Sequence, residues 1–393
     1  MQKLFFKPLP LVIKSYFWAY LKFVRYIKAF YFGFIILVSV ICDGQTQGNA
    51  GYTVDADYFY GNIFAHSNSI QHLITEHPEG ILISFNKKTF GTKEWQAAYN
   101  YPDYGASFHF EDTHNETLGD LYGLYAHYNF YFLKRNLTFR VAQGIAYNTN
   151  PYDKETNFRN VAYGSHWFPA SYFMLNFRKE KLWQNLGFHA GFSFFHHSNA
   201  TLRSPNTSTN TIAINIGLNY SLEKKAQNVY LPWQRDSINY IKQPIDYNIT
   251  LRGGVNESDI IGSGQYPFFA LSFNAEKRLS RKSAVQVGTD LFWHEYLREY
   301  IKFKSVAYPA EKIAADTDFR RIGVFIGHEL LISRLSMEAQ VGYYVYSPFK
   351  YLGPLYQRVG MKYYISDQIF GSMSLKTHGA KAEALEFGIG IKL

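Results

Sequence analysis

The sequence predicts an all-β fold: a transmembrane, antiparallel outer-membrane β-barrel of about 14–16 strands. Three observations predict it. Aromatic residues make up 19% of the chain, with 33 Tyr and 34 Phe. After residue 45 no stretch reaches the roughly eighteen consecutive apolar residues that a membrane helix needs. Apolar and polar residues alternate with period two in segment after segment, the pattern of strands with one apolar face. A soluble sandwich also alternates, but its inner faces are aliphatic and rarely so rich in Tyr and Phe.

The chain begins differently. Lys3, Lys7, Lys14, Lys22, Arg25 and Lys28 form a basic region, and Ala29 to Ile41 is almost entirely apolar. Cys42, Asp43 and Gly44 then place small residues before a plausible signal-peptidase cut. Residues 1–44 are expected to be a signal peptide, and 45–393 one outer-membrane β-barrel. A retained anchor is the other reading of this segment, but its apolar core is short for spanning. Bulky Ile41 argues against a lipoprotein. Cys42 is the single cysteine, so neither disulfides nor thiolate chemistry are expected beyond the cut.

Strand candidates follow in order near 56–65, 80–87, 105–111, 119–133, 137–148, 163–178, 185–198 and 211–222. The second half adds 245–252, 266–279, 284–297, 320–333, 335–345, 356–366, 368–377 and 385–393. The clearest is 335–345, where Leu335, Met337, Ala339, Val341, Tyr343 and Val345 alternate with Ser336, Glu338, Gln340, Gly342 and Tyr344. In 385–393, Leu385, Phe387, Ile389, Ile391 and Leu393 alternate with Glu386, Gly388, Gly390 and Lys392. Asp246, Arg252, Glu338 and Lys362 face the lumen by the same parity.

Connection lengths give an orientation. Residues 134–136, 179–182 and 333–334 are short and belong on the periplasmic side; 149–162, 199–210 and 298–319 are long, polar and belong outside. Residues 223–244, with Pro232 and Trp233, are expected to form a periplasmic flap. The net charge is +9, but Lys and Arg are scattered among strands and turns, which excludes a nucleic-acid surface. Anionic lipopolysaccharide suits a basic barrel better.

One strand ends unusually. In 186–198 the even positions Leu186, Phe188, Ala190, Phe192 and Phe194 form an apolar, lipid-facing row that finishes in His196 and Ser198. Residues two apart on a strand are about 6.6 Å apart along its axis and point the same way. An imidazole can bridge that gap, and a histidine beside a serine hydroxyl is the arrangement that makes serine a nucleophile in acyl transfer. In the next strand Ile212, Ile214, Ile216, Leu218 and Tyr220 carry the apolar row, so Asn210 continues the lipid side next to Ser198. Strand ends also carry His, Ser and Asn simply as interfacial residues.

The stretches "HHSNA" at 196–200, "PNTSTN" at 205–210 and "GLNYSL" at 217–222 resemble the outer-membrane lipid A 3-O-deacylases of the PagL type. The likeness is closest to the larger, acyloxyacyl hydrolase-like relatives. "GIAYNTNPYDKETNFRNVAYGSH" at 144–166 resembles the segment that precedes the motif in those relatives. The resemblance covers 140–222 well and the rest only in general barrel character. It implies hydrolysis of an ester-linked acyl chain of lipopolysaccharide, with Ser198 as nucleophile and His196 as general base. It also implies that Asn199 helps to form the oxyanion hole. By parity the Asn199 side chain points inward, so that role would need a backbone amide or a bulge.

The third member departs from the pattern. The smaller deacylases place a glutamate about a dozen residues after the serine, on the adjacent strand; here that position holds Asn210. An amide orients an imidazole but does not stabilise the imidazolium by charge, and this exchange cost about 10⁴-fold in a serine protease. Either Asn210 orients His196, or a carboxylate comes from the 149–162 loop, with Asp153 and Glu155 nearest in sequence. A slow or inactive enzyme is the remaining reading. His189, His196 and His197 divide between two faces, Ser165 and His166 point opposite ways, and "GSGQ" at 262–265 lacks a strand-to-helix context. No metal and no organic cofactor is expected. The partners expected are lipid A and outer-membrane lipids, the compartment is the bacterial outer membrane, and the sequence leaves the oligomeric state open. The alternative to the hydrolase is an outer-membrane channel or lipid-binding barrel that keeps the motif without activity.

Overall fold

The computed structural model describes residues 51–222, 229–232, 242–379 and 381–393. The expected signal peptide and most of the expected periplasmic flap lie outside these residues. Among the described residues sixteen strands follow one another, each antiparallel to the strands it pairs with. The first eight are β1 (Tyr52–Ile63), β2 (Glu79–Lys87), β3 (Asp103–Asp112), β4 (Leu121–Phe132), β5 (Leu137–Asn148), β6 (Trp167–Trp183), β7 (Leu186–His197) and β8 (Thr209–Ser221). The second eight are β9 (Asp246–Asn256), β10 (Tyr266–Arg278), β11 (Ser283–His294), β12 (Arg321–Leu331), β13 (Leu335–Tyr346), β14 (Leu355–Tyr364), β15 (Ile369–His378) and β16 (Lys381–Lys392).

Every strand candidate read from the alternation corresponds to one of these. Their closure differs from the expectation of a single barrel. β1 pairs with β8, with Thr53 opposite Ser221 and Ile63 opposite Thr211, and so closes the first eight strands. β9 pairs with β16, with Asn248 opposite Lys392, and closes the second eight. The chain is therefore two eight-stranded barrels in series. Period-two alternation specifies which face of a strand is apolar, not which strand completes the sheet, so one sixteen-stranded sheet and two eight-stranded ones read alike.

The apolar rows face outward. Phe192 is 63% exposed, and Ile212, Ile214, Ile216 and Leu218 form a continuous exposed strip on β8. Among the described residues no helix is long and apolar enough to cross a membrane; the strands carry the apolar surface. Eight strands enclose a space that side chains can fill, and here they fill it with paired polar groups. In the first barrel Arg178 binds both oxygens of Asp55, at 3.0 and 2.9 Å, and Arg140 reaches the same carboxylate at 2.8 Å. His189 lies 2.6 Å from Asp57. This pair sits where Gly217 of β8 has no side chain; a Cβ there would meet His189 Nε2 at 2.5 Å.

The second lumen is similar. Arg252 contacts Glu338 at 3.2 Å, Lys362 binds Glu329 at 2.6 Å and Glu338 at 3.2 Å, and Arg358 joins Asp290 and Glu386 at 2.9 and 2.6 Å. Arg252, Glu338 and Lys362 thus face inward as parity predicts. Asp246 sits at the lumen's edge, half-buried, and pairs with Lys392 at 2.7 Å.

One rim segment differs from its reading as a polar loop. Residues Glu295–Ala307 form a helix over the second barrel. Tyr296, Leu297, Tyr300 and Ile301 recur at helical spacing and pack with Phe349 and Tyr351. The opposite side carries the pairs Arg298–Glu295 and Lys302–Glu299. The change from period two to 3.6 at His294 is what ends β11.

Candidate active site at the long-loop rim

β7 and β8 bring the motif together. His196 lies directly opposite Asn210 in the register, and Ser171 of β6 flanks it on the other side. His196 Nδ1 donates to Asn210 Oδ1 at 2.6 Å. With Nδ1 carrying the proton, Nε2 is the basic nitrogen, the tautomer that a general base requires. Asn210 Nδ2 in turn donates to Nδ1 of His66 at 3.2 Å, and His66 Nε2 donates to the carbonyl of Thr207 at 2.8 Å. His66 comes from the loop after β1, which the closure against β8 carries to this point. Phe194 and Ile212 continue the apolar outer face directly below His196 and Asn210.

Ser198 is placed differently from the outward position that parity gave it. β7 ends at His197, and the chain then turns, with Ala200 and Thr201 at φ of 51° and 65°. The turn covers Ser198, which is 8% exposed. Asn206 lies against its hydroxyl, with Oδ1 at 3.3 Å and Nδ2 at 3.2 Å. The Ala200 amide donates to the same oxygen at 3.2 Å. Ser198 Oγ is therefore held by Asn206 and the Ala200 amide rather than by His196. Hydrogen bonds between nucleophile and base are often open before substrate binds.

Asn199 does not supply free donors. Its amide N–H is taken by Asn206 Oδ1 at 3.0 Å, and its side chain donates to the carbonyl of Arg203. The donors beside Ser198 are the Ala200 amide and Asn206 Nδ2. Asn206 and His66 are the residues that sequence reasoning missed. Asn206 stood in the "PNTSTN" stretch, but its role depends on how the turn folds; His66 carried no local signal.

The loop carboxylates do not join His196. Asp153 is exposed and caps its own turn, accepting from the amides of Glu155 and Thr156 at 2.9 and 2.8 Å and from the Thr156 hydroxyl at 2.9 Å. These bonds, the Thr156 amide's first, hold its carboxyl below the usual range. Glu155 is exposed in the same turn.

The second barrel grips the turn that covers Ser198. Ser204 N–H donates to the Glu257 carboxylate at 2.8 Å, and Ser204 Oγ to the Ser258 carbonyl at 2.6 Å. Thr201 Oγ1 donates to the Glu383 carbonyl at 2.7 Å, and the Glu257 amide donates to the Thr201 carbonyl at 3.0 Å. Gln265 holds the Leu202 carbonyl at 2.6 Å.

Residues 79–219 match the family described as lipid A 3-O-deacylase (PagL), and residues 245–393 match acyloxyacyl hydrolase, C-terminal domain. The two matches fall on the two barrels. No curated protein matches the chain. Among solved structures, a mutant form of Rh. blastica porin aligns at 9% identity over 88% of this chain and 100% of its own, with a TM-score of 0.17. The Acinetobacter baumannii outer membrane protein Omp33 aligns at 9% identity over 88% of this chain and 99% of its own, again with a TM-score of 0.17. His196, Ser198, Asn206 and Asn210 stand within the first of the two family matches, and the chain belongs to the PagL-like family of lipid A hydrolases of the bacterial outer membrane.

Proposed function

We propose that this protein hydrolyses an ester-linked acyl chain of lipid A in the outer leaflet, with Ser198 as nucleophile and His196 as general base. Ser198 Oγ attacks the ester carbonyl while His196 Nε2 takes its proton. The tetrahedral intermediate then expels the sugar hydroxyl, to which His196 returns the proton. Water, activated by the same imidazole, releases the fatty acid and restores Ser198. The Ala200 amide and Asn206 Nδ2, which donate to Ser198 Oγ in the free protein, are assigned to the substrate carbonyl oxygen on which charge develops.

The contact between His196 Nδ1 and Asn210 Oδ1 carries this reading, because it leaves Nε2 as the free base. Asn210 takes the third place, backed by His66. The location suits the substrate: acyl chains lie along the outer apolar strip, and the ester sits where that strip meets polar rim residues. The filled, ion-paired lumens count against the channel alternative.

Mass spectrometry of lipid A tests this proposal, using cells that produce the protein or its Ser198→Ala variant at equal outer-membrane levels. The expected result is a species short of one acyl chain with the unaltered protein only. The same lipid A from both strains would remove the proposal.

A further inference from the structure

Inside the first barrel, beneath the rim site, three side chains converge and leave four of their polar atoms unsatisfied among the described residues. His109 and Glu111 point inward from β3, and His197 points inward from β7 across the lumen. All three are buried, with His109 and His197 at 0% exposure and Glu111 at 1%. One ligand atom from each lies within 4.8 Å of the other two. Glu111 Oε2 is 3.5 Å from His109 Nε2 and 4.0 Å from His197 Nδ1, too long for hydrogen bonds. His109 Nδ1 and Nε2, Glu111 Oε2 and His197 Nδ1 all lack hydrogen-bond partners among the described residues.

A buried carboxylate needs a compensating charge. The second barrel meets that need with protein cations: Glu383 is held by Arg321 and Lys376, with the His378 ring beside them. Among the described residues no Lys or Arg contacts Glu111. Its other oxygen accepts only from the Thr211 hydroxyl, at 2.8 Å. The surroundings are otherwise apolar, with His109 stacked on Phe59 at 5.3 Å and tilted against Phe195 at 4.6 Å.

We propose that His109, Glu111 and His197 bind a zinc ion within the first barrel. Two imidazoles and a carboxylate form a ligand set that zinc takes with nitrogen and oxygen ligands about 2.0–2.2 Å away. Tetrahedral ligands at that range stand about 3.3–3.5 Å apart, so contraction by a few tenths of an ångström closes the set. Thr211 on Glu111 and the Tyr125 hydroxyl, 3.2 Å from His197 Nε2, stand behind the ligands and orient them. The ion supplies the missing positive charge. It also ties the end of β7 to β3, one residue before Ser198.

The full chain without an affinity tag, purified in detergent, tests this by elemental analysis after exposure to zinc and removal of the excess. The expected result is about one zinc per chain, lost in His109→Ala and in Glu111→Gln, and retained in His328→Ala, which alters an exposed histidine of the second barrel. Should the lumen variants fail to fold, the unaltered protein decides: zinc added after chelation should raise its Tm, and cobalt should give the visible bands of a low-symmetry site. Zinc retained in folded His109→Ala and Glu111→Gln protein would overturn the proposal. So would an unaltered protein that takes up no zinc and whose Tm does not respond; ordered water would then be the group that fills the cluster. None of these readouts depends on lipid A hydrolysis, so they stand or fall apart from the proposed activity.

Discussion

His196 donates its Nδ1 proton to the side-chain oxygen of Asn210, 2.6 Å away, between directly opposed positions on β7 and β8. The contact fixes a tautomer but adds no negative charge. Asn210→Asp should therefore raise kcat, by about tenfold or more, with the full carboxylate effect of about 10⁴ as the ceiling. Asn210→Ala should lower it. Fatty acid release from purified lipid A by the three proteins measures this; a fall with Asp would mean that this position does not act through His196.

Asn206 is the side chain closest to the Ser198 hydroxyl among its hydrogen-bond partners, and with the Ala200 amide it forms the donor pair there. Loss of one oxyanion donor costs about 10²–10³-fold in kcat. Asn206→Ala is expected to fall in that range, with KM changed far less. Steady-state kinetics on a soluble ester separate the two constants, and an equal change in both would assign Asn206 to binding instead.

Glu257 holds the Ser204 amide from the second barrel, and through it the turn over Ser198. Glu257→Ala should lower kcat and raise KM together, whereas Glu257→Gln, which keeps an acceptor oxygen, should restore most of the activity. Both variants should unfold at the same denaturant concentration as the unaltered protein. A large shift in that midpoint would make the residue a stability element.

Asp55 is the shared acceptor of Arg140 and Arg178 in the first lumen. Asp55→Ala leaves two buried guanidinium groups without their carboxylate, and removal of one partner from a buried pair costs about 3–5 kcal/mol. Equilibrium unfolding in detergent or lipid should show a destabilisation of that order. A change below about 1 kcal/mol would mean that water or other acceptors replace the carboxylate.

Strand positions were legible because the physics that sets them is local. Leu335 to Val345 alternates since one face meets an apolar environment and the other a packed lumen; parity likewise put His196 and Asn210 on one face, but it set Asn210 beside Ser198, whereas the register sets it opposite His196. What brings Thr53 to Ser221, or His66 to Asn210, is sheet closure, which leaves no mark in any single segment. The covering of Ser198 was hidden for a related reason: the turn is shaped by Asn206 and by groups on the second barrel, such as Glu257. His197 was one of three strand histidines divided between two faces, and nothing local shows that β3 brings His109 and Glu111 to it.

The pairing of β1 with β8 and of β9 with β16 keeps every ladder hydrogen bond within its own half of the chain. Neither half needs to wait for an edge offered by the other, so the first can be sealed before the second has emerged, and an unfinished second half leaves no open seam in the first. The halves also touch at the short-turn end, where Tyr99 donates to the Leu331 carbonyl and Lys282 to the Ala98 carbonyl, but the turn over Ser198 depends on the long-loop rim. A chain halted before Glu257 could complete its first barrel, yet it would lack the outside hand that steadies the turn over its serine, and so would be assembled before it is competent.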